Sequence, residues 1–276
     1  MKRRIALITM PLLALAVFTL LLAGCGGGSS SSSGTPPIQT APALNGNWEI
    51  QATSQVTAST SYLIGGSFAT TGTAVTGILH FLNYSCYYVP AKNSEWKVPV
   101  TGTVSSSGSL SLTSTVVDEQ TLKVSGTVAN GRITNGTYSV TGGCGNGEHG
   151  TLTGFSVSSF TGTYSGGIVS NGVSWGTMTL NLTQAAAPDS DGLYDLSGTA
   201  SVVNSGLWIW TDNPAELAQA TAWGGYIQGT VLTGNGAIGF NGTITDATGD
   251  TISCEFSVTG GTLTPGTGTF TLTRSK

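Results

Sequence analysis

From Leu44 to Lys276 apolar and polar residues alternate in short runs, and Gly, Asn or Ser closes each run. Over residues 121–128 this alternation places Leu122, Val124 and Val128 on one side of a pleated strand, with Gly126 between them. Residues 177–183 do the same with Met178, Leu180 and Leu182, and residues 268–273 close the chain in the same style. Strands with one wet and one dry face belong to antiparallel sheet. The pattern therefore predicts an all-β fold.

One segment departs from period two. Asp212-Asn213-Pro214-Ala215-Glu216 offers capping residues, Pro at a first helical position and then good helix formers through Ala220. It reads as an ordinary connecting turn, with a short helix as the alternative.

The strands recur at long range. Gly46-Asn47-Trp48 returns as Gly162-Thr163-Tyr164, and Gly126-Thr127-Val128 as Gly242-Thr243-Ile244, both 116 positions on. Tyr138-Ser139-Val140-Thr141-Gly142-Gly143 returns as Phe256-Ser257-Val258-Thr259-Gly260-Gly261, 118 positions on. The order and spacing predict two homologous domains, residues 43–158 and 159–276. Each has room for about eight short strands, which suits a closed meander barrel or a sandwich. The Gly-x-aromatic opening, Gly46 with Trp48 and Gly162 with Tyr164, followed by Gly-punctuated strands, resembles lipocalin and avidin-like barrels. That resemblance implies tandem barrels and carries over no biotin or retinoid site.

The N-terminus sets the compartment. Met1-Lys2-Arg3-Arg4 precedes an apolar run from Ile5 to Leu22, and then comes Leu22-Ala23-Gly24-Cys25. Charged, apolar and small-residue regions in that order are a secretory signal. Leu-Ala-Gly-Cys resembles the bacterial lipobox, which implies a cleaved signal peptide (residues 1–24) and a diacylglycerol on Cys25. The competing reading is an uncleaved membrane anchor. Residues 25–42, rich in Gly, Ser and Pro, then read as a flexible tether. Gly26 stands where an inner-membrane retention signal would place Asp, so the resemblance implies the outer membrane wherever the cell has one.

Charge narrows the partners. Without residues 1–24 the chain keeps 6 basic residues against 13 acidic ones. That balance argues against nucleic acid or an anionic membrane surface, either of which needs a basic patch. Charged residues are only 8% of the chain, so Ser, Thr, Asn and Gly must solvate the surface.

Of the cysteines other than Cys25, Cys86 and Cys144 fall in the first domain, at positions near Leu207 and Thr262 in the second. Their joint absence there predicts a Cys86–Cys144 disulfide in an oxidising compartment. Cys254 then reads as a free thiol acting as a small buried hydrophobe.

Catalytic constellations are sparse. His80 and His149 are the only histidines, and no metal-ligand set forms around either. Asp189-Ser190-Asp191-Gly192 lacks the later bidentate Glu of a calcium loop and reads as a solvated turn. Gly172-Val173-Ser174-Trp175-Gly176 is followed by a strand, whereas a nucleophile elbow requires a helix there. Asp118 and Glu119 would point to opposite faces of a strand. No catalytic residues, cofactor or metal are assigned.

Aromatic residues are the candidates for binding. Trp208 and Trp210 share a strand face by parity, and Trp223 and Tyr226 follow on the far side of the 212–220 segment. Together they could stack on a ligand, or they could plug a barrel core or end. The sequence thus predicts a non-enzymatic cell-envelope lipoprotein, held to the membrane by lipid and binding a small apolar ligand or an envelope component. The alternative is a structural or adhesive surface module without a pocket.

Overall fold

A computed structural model describes residues 40–57, 60–84, 86, 97–203, 214–244, 246–260 and 266–276. The regular secondary structure of these residues is all strand. The first eight strands are β1 (Gly46–Ser54), β2 (Ser61–Thr71), β3 (Ala74–Phe81), β4 (Lys97–Val104), β5 (Ser109–Ser114), β6 (Thr121–Ala129), β7 (Arg132–Thr141) and β8 (His149–Ser156). Each pairs antiparallel with the next, and β1 closes on β8 with Trp48 opposite Ser156. The second eight are β9 (Gly162–Ser170), β10 (Val173–Gln184), β11 (Tyr194–Val203), β12 (Ala215–Trp223), β13 (Tyr226–Thr233), β14 (Gly236–Ile244), β15 (Thr251–Thr259) and β16 (Thr267–Arg274). Here β16 returns to β9, with Arg274 opposite Tyr164. Both units are closed up-and-down barrels and not sandwiches.

Local chemistry sets the hairpins. Asn130-Gly131 joins β6 to β7 and Asn171-Gly172 joins β9 to β10, with φ of 51° and 68° in the first and 50° and 75° in the second. Both central residues of such a two-residue turn need positive φ, which Asn tolerates and Gly adopts freely. The Gly172–Gly176 string therefore begins in a hairpin turn, and Ser174 is an exposed residue of β10. Asp118 and Glu119 occupy another turn with positive φ, closed by the Val117–Gln120 bridge, and not a strand as the sequence suggested.

The 212–220 segment is neither helix nor connecting turn over its described part: Ala215–Trp223 is a full strand. Ala, Glu and Gln are good helix formers, but propensity is a small term that tertiary context overrides, and here β11 and β13 both demand a hydrogen-bonded partner to close the barrel. The misfit surfaces as ladder irregularities, with register shifts on both sides of residues 217–220 and a φ of 49° at Gln219.

Inward residues fill each barrel. Trp48, Ile50, Phe68, Leu79, Leu112 and Ile133 belong to one contiguous buried cluster; Tyr164, Ile168, Leu180, Ile227, Phe240 and Phe270 belong to the other. Eight strands give a bore that side chains alone can fill. Rings fold over glycines directly opposite them in the register: Phe68 over Gly77, Tyr138 over Gly150, Phe240 over Gly229 and Phe256 over Gly268. A Cβ on those four glycines would come within 2.4 to 2.9 Å of the facing ring. The Tyr138–Gly150 and Phe256–Gly268 pairs are repeat equivalents.

The Gly-x-aromatic motif closes the start of each barrel. Gly46 and Gly162 have φ of 105° and 150°, which a side chain would resist. Trp48 Nε1 donates to the Leu44 carbonyl at 3.0 Å. Tyr164 donates to the Gly249 carbonyl at 3.1 Å and accepts from Arg274 Nε at 2.9 Å, with the guanidinium 5.1 Å from the ring centroid. Leu44 and Phe160, equivalent plugs in the two repeats, are both fully buried.

Candidate binding site at the seam between the barrels

The two-residue turn Gly224-Gly225 between β12 and β13 rests on the outer face of β1 and β2. Asn47 points outward from β1, yet it is buried because it grips that turn: its Nδ2 donates to the Gly224 carbonyl at 2.7 Å and its Oδ1 accepts from the Gly224 amide at 2.5 Å. The approach is so close that a Cβ on Gly224 would stand 2.5 Å from Gly65 Cα, and one on Gly65 would stand 2.5 Å from the Trp223 carbonyl oxygen. Glycine is required on both surfaces.

A second contact comes from the Asp189–Gly192 turn. Asp189 Oδ1 accepts from the amides of Asp191 and Leu193 at 2.8 and 2.9 Å, shaping the turn. Lys97 Nζ meets Asp191 Oδ1 at 2.6 Å, and His80 Nε2 lies 2.7 Å from the Asp191 carbonyl oxygen. A carbonyl can only accept, so Nε2 carries the proton. The turn is thus docked against β3 through Asp191 and the buried Gly192, while Asp189 and Ser190 stay exposed, so the solvated turn the sequence suggested holds for its first half only.

The seam perturbs two titrating groups. Burial pushes the Glu49 carboxyl above its ordinary value, and the Gly225 backbone beside it pulls partly the other way. Glu49 Oε2 itself makes no hydrogen bond of ordinary geometry. Burial pushes the His80 imidazole down, opposed by the Asp191 carbonyl and by the charges of Asp191 and Asp189.

Of the four aromatic candidates, the seam brings together two. Trp223 and Tyr226 pack with ring centroids 4.4 Å apart, and the His80 ring lies 5.8 Å from Trp223. Both aromatics line a pocket of about 410 Å³ that also involves Leu63, Leu82, Asn83 and Thr243. Asn83 is committed to the ends of its own sheet, accepting from the Leu63 amide and donating to the Ser61 carbonyl, each at 2.8 Å. Buried Trp223 Nε1 has no hydrogen-bond partner. The pocket offers apolar and aromatic surface on which an apolar group could pack. Trp208 and Trp210 lie outside the described residues, as does Cys25. The strand ends that flank residues 204–213, Val203 and Ala215, stand at the end of β12 opposite Trp223.

The predicted disulfide is formed: Cys86 and Cys144 are bonded, with Cα atoms 5.4 Å apart. Cys254 is buried opposite Gly242, and burial pushes its thiol up to about 12. A polar network beside the disulfide was not legible in the sequence. Fully buried Gln120 donates to the Cys86 carbonyl at 2.9 Å and accepts from the Gly145 amide at 2.7 Å. Tyr138 donates to Glu148 Oε1 at 2.7 Å, and the Tyr62 and Tyr84 rings pack at a tilt with centroids 4.6 Å apart. Burial, with the Glu148 charge adding to it, pushes the Tyr84 hydroxyl up to about 12. Among the described residues no group of three or more His, Cys, Asp or Glu side chains gathers to hold a metal.

No known protein family and no curated protein matches this chain. Solved structures to which it is similar include a protein of unknown function from the DUF3598 family of Nostoc punctiforme, at 11% identity and a TM-score of 0.24, covering 84% of this chain and 96% of that one. Another, a Bacteroides fragilis protein provisionally assigned to the outer membrane, aligns at 12% identity and a TM-score of 0.25 over 84% of this chain and 98% of its own. Kievitone hydratase of Nectria haematococca aligns at 11% identity and a TM-score of 0.23 over 86% and 91%. At such scores these likenesses carry no functional argument, and the assignment to closed eight-stranded barrels stands on this chain's own strand order.

Proposed function

We propose that this chain is a cell-envelope lipoprotein, attached to the membrane through Cys25, whose fused barrels form a non-catalytic recognition or adhesive module working through its outer faces. The observation that carries this reading is the filled interior. Each bore is occupied by one contiguous cluster of buried side chains, which leaves the outer walls and the seam for a partner. The anchor follows from Leu22-Ala23-Gly24-Cys25, and the disulfide suits an oxidising compartment outside the cytoplasm. Buried acyl chains contribute ~0.8 kcal/mol per CH₂, so several would hold the module at a bilayer.

A second reading rests on the seam. Leu63, Leu82, Trp223 and Tyr226 make its pocket apolar enough for a small hydrophobic ligand. Two measurements test these readings. Cys25→Ala expressed in the native host is expected to lose both lipid-dependent processing and membrane fractionation; unchanged maturation and fractionation would sink the anchor. Native mass spectrometry of the detergent-extracted protein is expected to give the lipidated polypeptide alone. A stoichiometric apolar companion that is lost in Trp223→Ala would favour the seam pocket instead.

A further inference from the structure

The two barrels share one strand order and differ in the chemistry of their outer faces. On the outer face of the second, the register aligns Thr230, Gly239, Ser257 and Thr267 in one cross-strand row. The adjacent row is Gln228, Asn241, Glu255 and Thr269. Small side chains floor the first row and longer polar ones wall it, leaving an open hollow of about 750 Å³ to which Gln219 also contributes.

The first barrel carries a hollow at the equivalent place, of about 290 Å³. Its matching rows are Thr113, Lys123, Ser139 and His149, then Ser111, Ser125, Thr137 and Thr151. Of the inward positions between those rows, Tyr138 matches Phe256 and Gly150 matches Gly268, while Leu112 and Val124 give way to Gly229 and Phe240. Outward, Lys gives way to Gly239, and two Ser and a Thr give way to Gln228, Asn241 and Glu255. Core packing does not require those outward changes.

The chemistry of the lining selects a ligand. Side-chain amides both donate and accept, as sugar hydroxyls do, and a carboxylate can accept from two neighbouring hydroxyls. The lining contains no Lys, Arg or His, so a phosphate, sulfate or acidic sugar would meet Glu255 without compensation. The row of floor residues runs across four strands about 4.8 Å apart, which favours an extended chain over a compact molecule. We propose that this hollow binds a neutral, hydroxyl-rich oligosaccharide, with Gln228, Asn241 and Glu255 hydrogen-bonding its hydroxyls while Gly239 lets a ring approach the sheet. The inference rests on the reading that this protein meets its partners through outer faces.

Saturation-transfer NMR on the full detergent-extracted protein tests it, with maltotriose, cellotriose and N,N′,N″-triacetylchitotriose as neutral probes and trigalacturonate as the anionic comparator. At least one neutral trisaccharide is expected to receive saturation, falling fivefold or more in Gly239→Lys and in Asn241→Ser, and unchanged in Lys123→Gly. A Cβ at Gly239 meets nothing nearer than Ser257 Oγ at 3.7 Å, so the lysine that the first barrel already carries is sterically allowed. An unchanged Tm verifies each fold, and Asn241→Ser decides should Gly239→Lys not fold. No transfer to any neutral probe, transfer to trigalacturonate alone, or transfer that survives the substitutions overturns the proposal. None of these outcomes alters how Cys25→Ala fractionates or what mass the native protein shows, so failure here is separable from failure of the envelope reading.

Discussion

Single residues at the seam carry charge in a place that alternation alone would leave wet. Glu49 sits on the outward parity of β1, and the second barrel covers it. Its raised pKa means that its favourable contribution is fully present below the ordinary value of 4.5 and is lost as pH rises through the folded value. At neutral pH, above that ordinary value, Glu49 is therefore a burden on the folded state. Glu49→Gln is expected to raise stability at pH 7 by on the order of 1 kcal/mol, the usual scale for an unsatisfied buried acceptor, with the advantage vanishing near pH 4. His80 works in the opposite sense: its lowered pKa means stability present above 6.5 and lost as pH falls. With Glu49 neutralised, only the His80 penalty remains as the seam is acidified beside Lys97, Asp189 and Asp191. Urea midpoints from pH 7 to 5 should fall more steeply in Glu49→Gln than in the wild type, and parallel curves would refute this account.

At the level of strands and turns, sequence and structure agree where interactions are local. Inward parity and the Gly-x-aromatic openings encode geometry within a few residues, and each appears where the pattern placed it. The disulfide was legible for a different reason, the joint absence of its partners from the second repeat. It closes a separation of 58 residues, so chain entropy assigns it about 4 kcal/mol. The Cys86→Ser/Cys144→Ser variant should lose up to that amount in chemical denaturation, and a loss below about 1 kcal/mol would show that Gln120 and its neighbours hold this end without the bond. The 212–220 segment failed because its local preference points one way and the ladder another. A gap between β11 and β13 would leave two rows of backbone groups unpaired, and closing it outweighs the helix preference of Ala and Glu.

Across the whole molecule, the seam decides whether two barrels behave as one body. Asn47 supplies both hydrogen bonds of the buried Gly224 peptide, so Asn47→Ala strands a donor and an acceptor at a cost of roughly 3 kcal/mol. Scanning calorimetry is expected to show the wild type melting as a single transition and Asn47→Ala as two, and a single undiminished transition in the variant would contradict a seam held by this residue. The sequence alone determined what periodicity and duplication can state: an all-β chain with room for about eight short strands in each of two repeats, the inward faces of the strands it named, and a disulfide confined to the first repeat. Tertiary structure alone decided the closure of β1 on β8 and of β9 on β16, and which outward residues became buried. A period of two tells each side chain which face it occupies. It carries no information on what lies across that face, and Asn47, Glu49, Gly65 and His80 acquire their roles from two turns more than a hundred residues away.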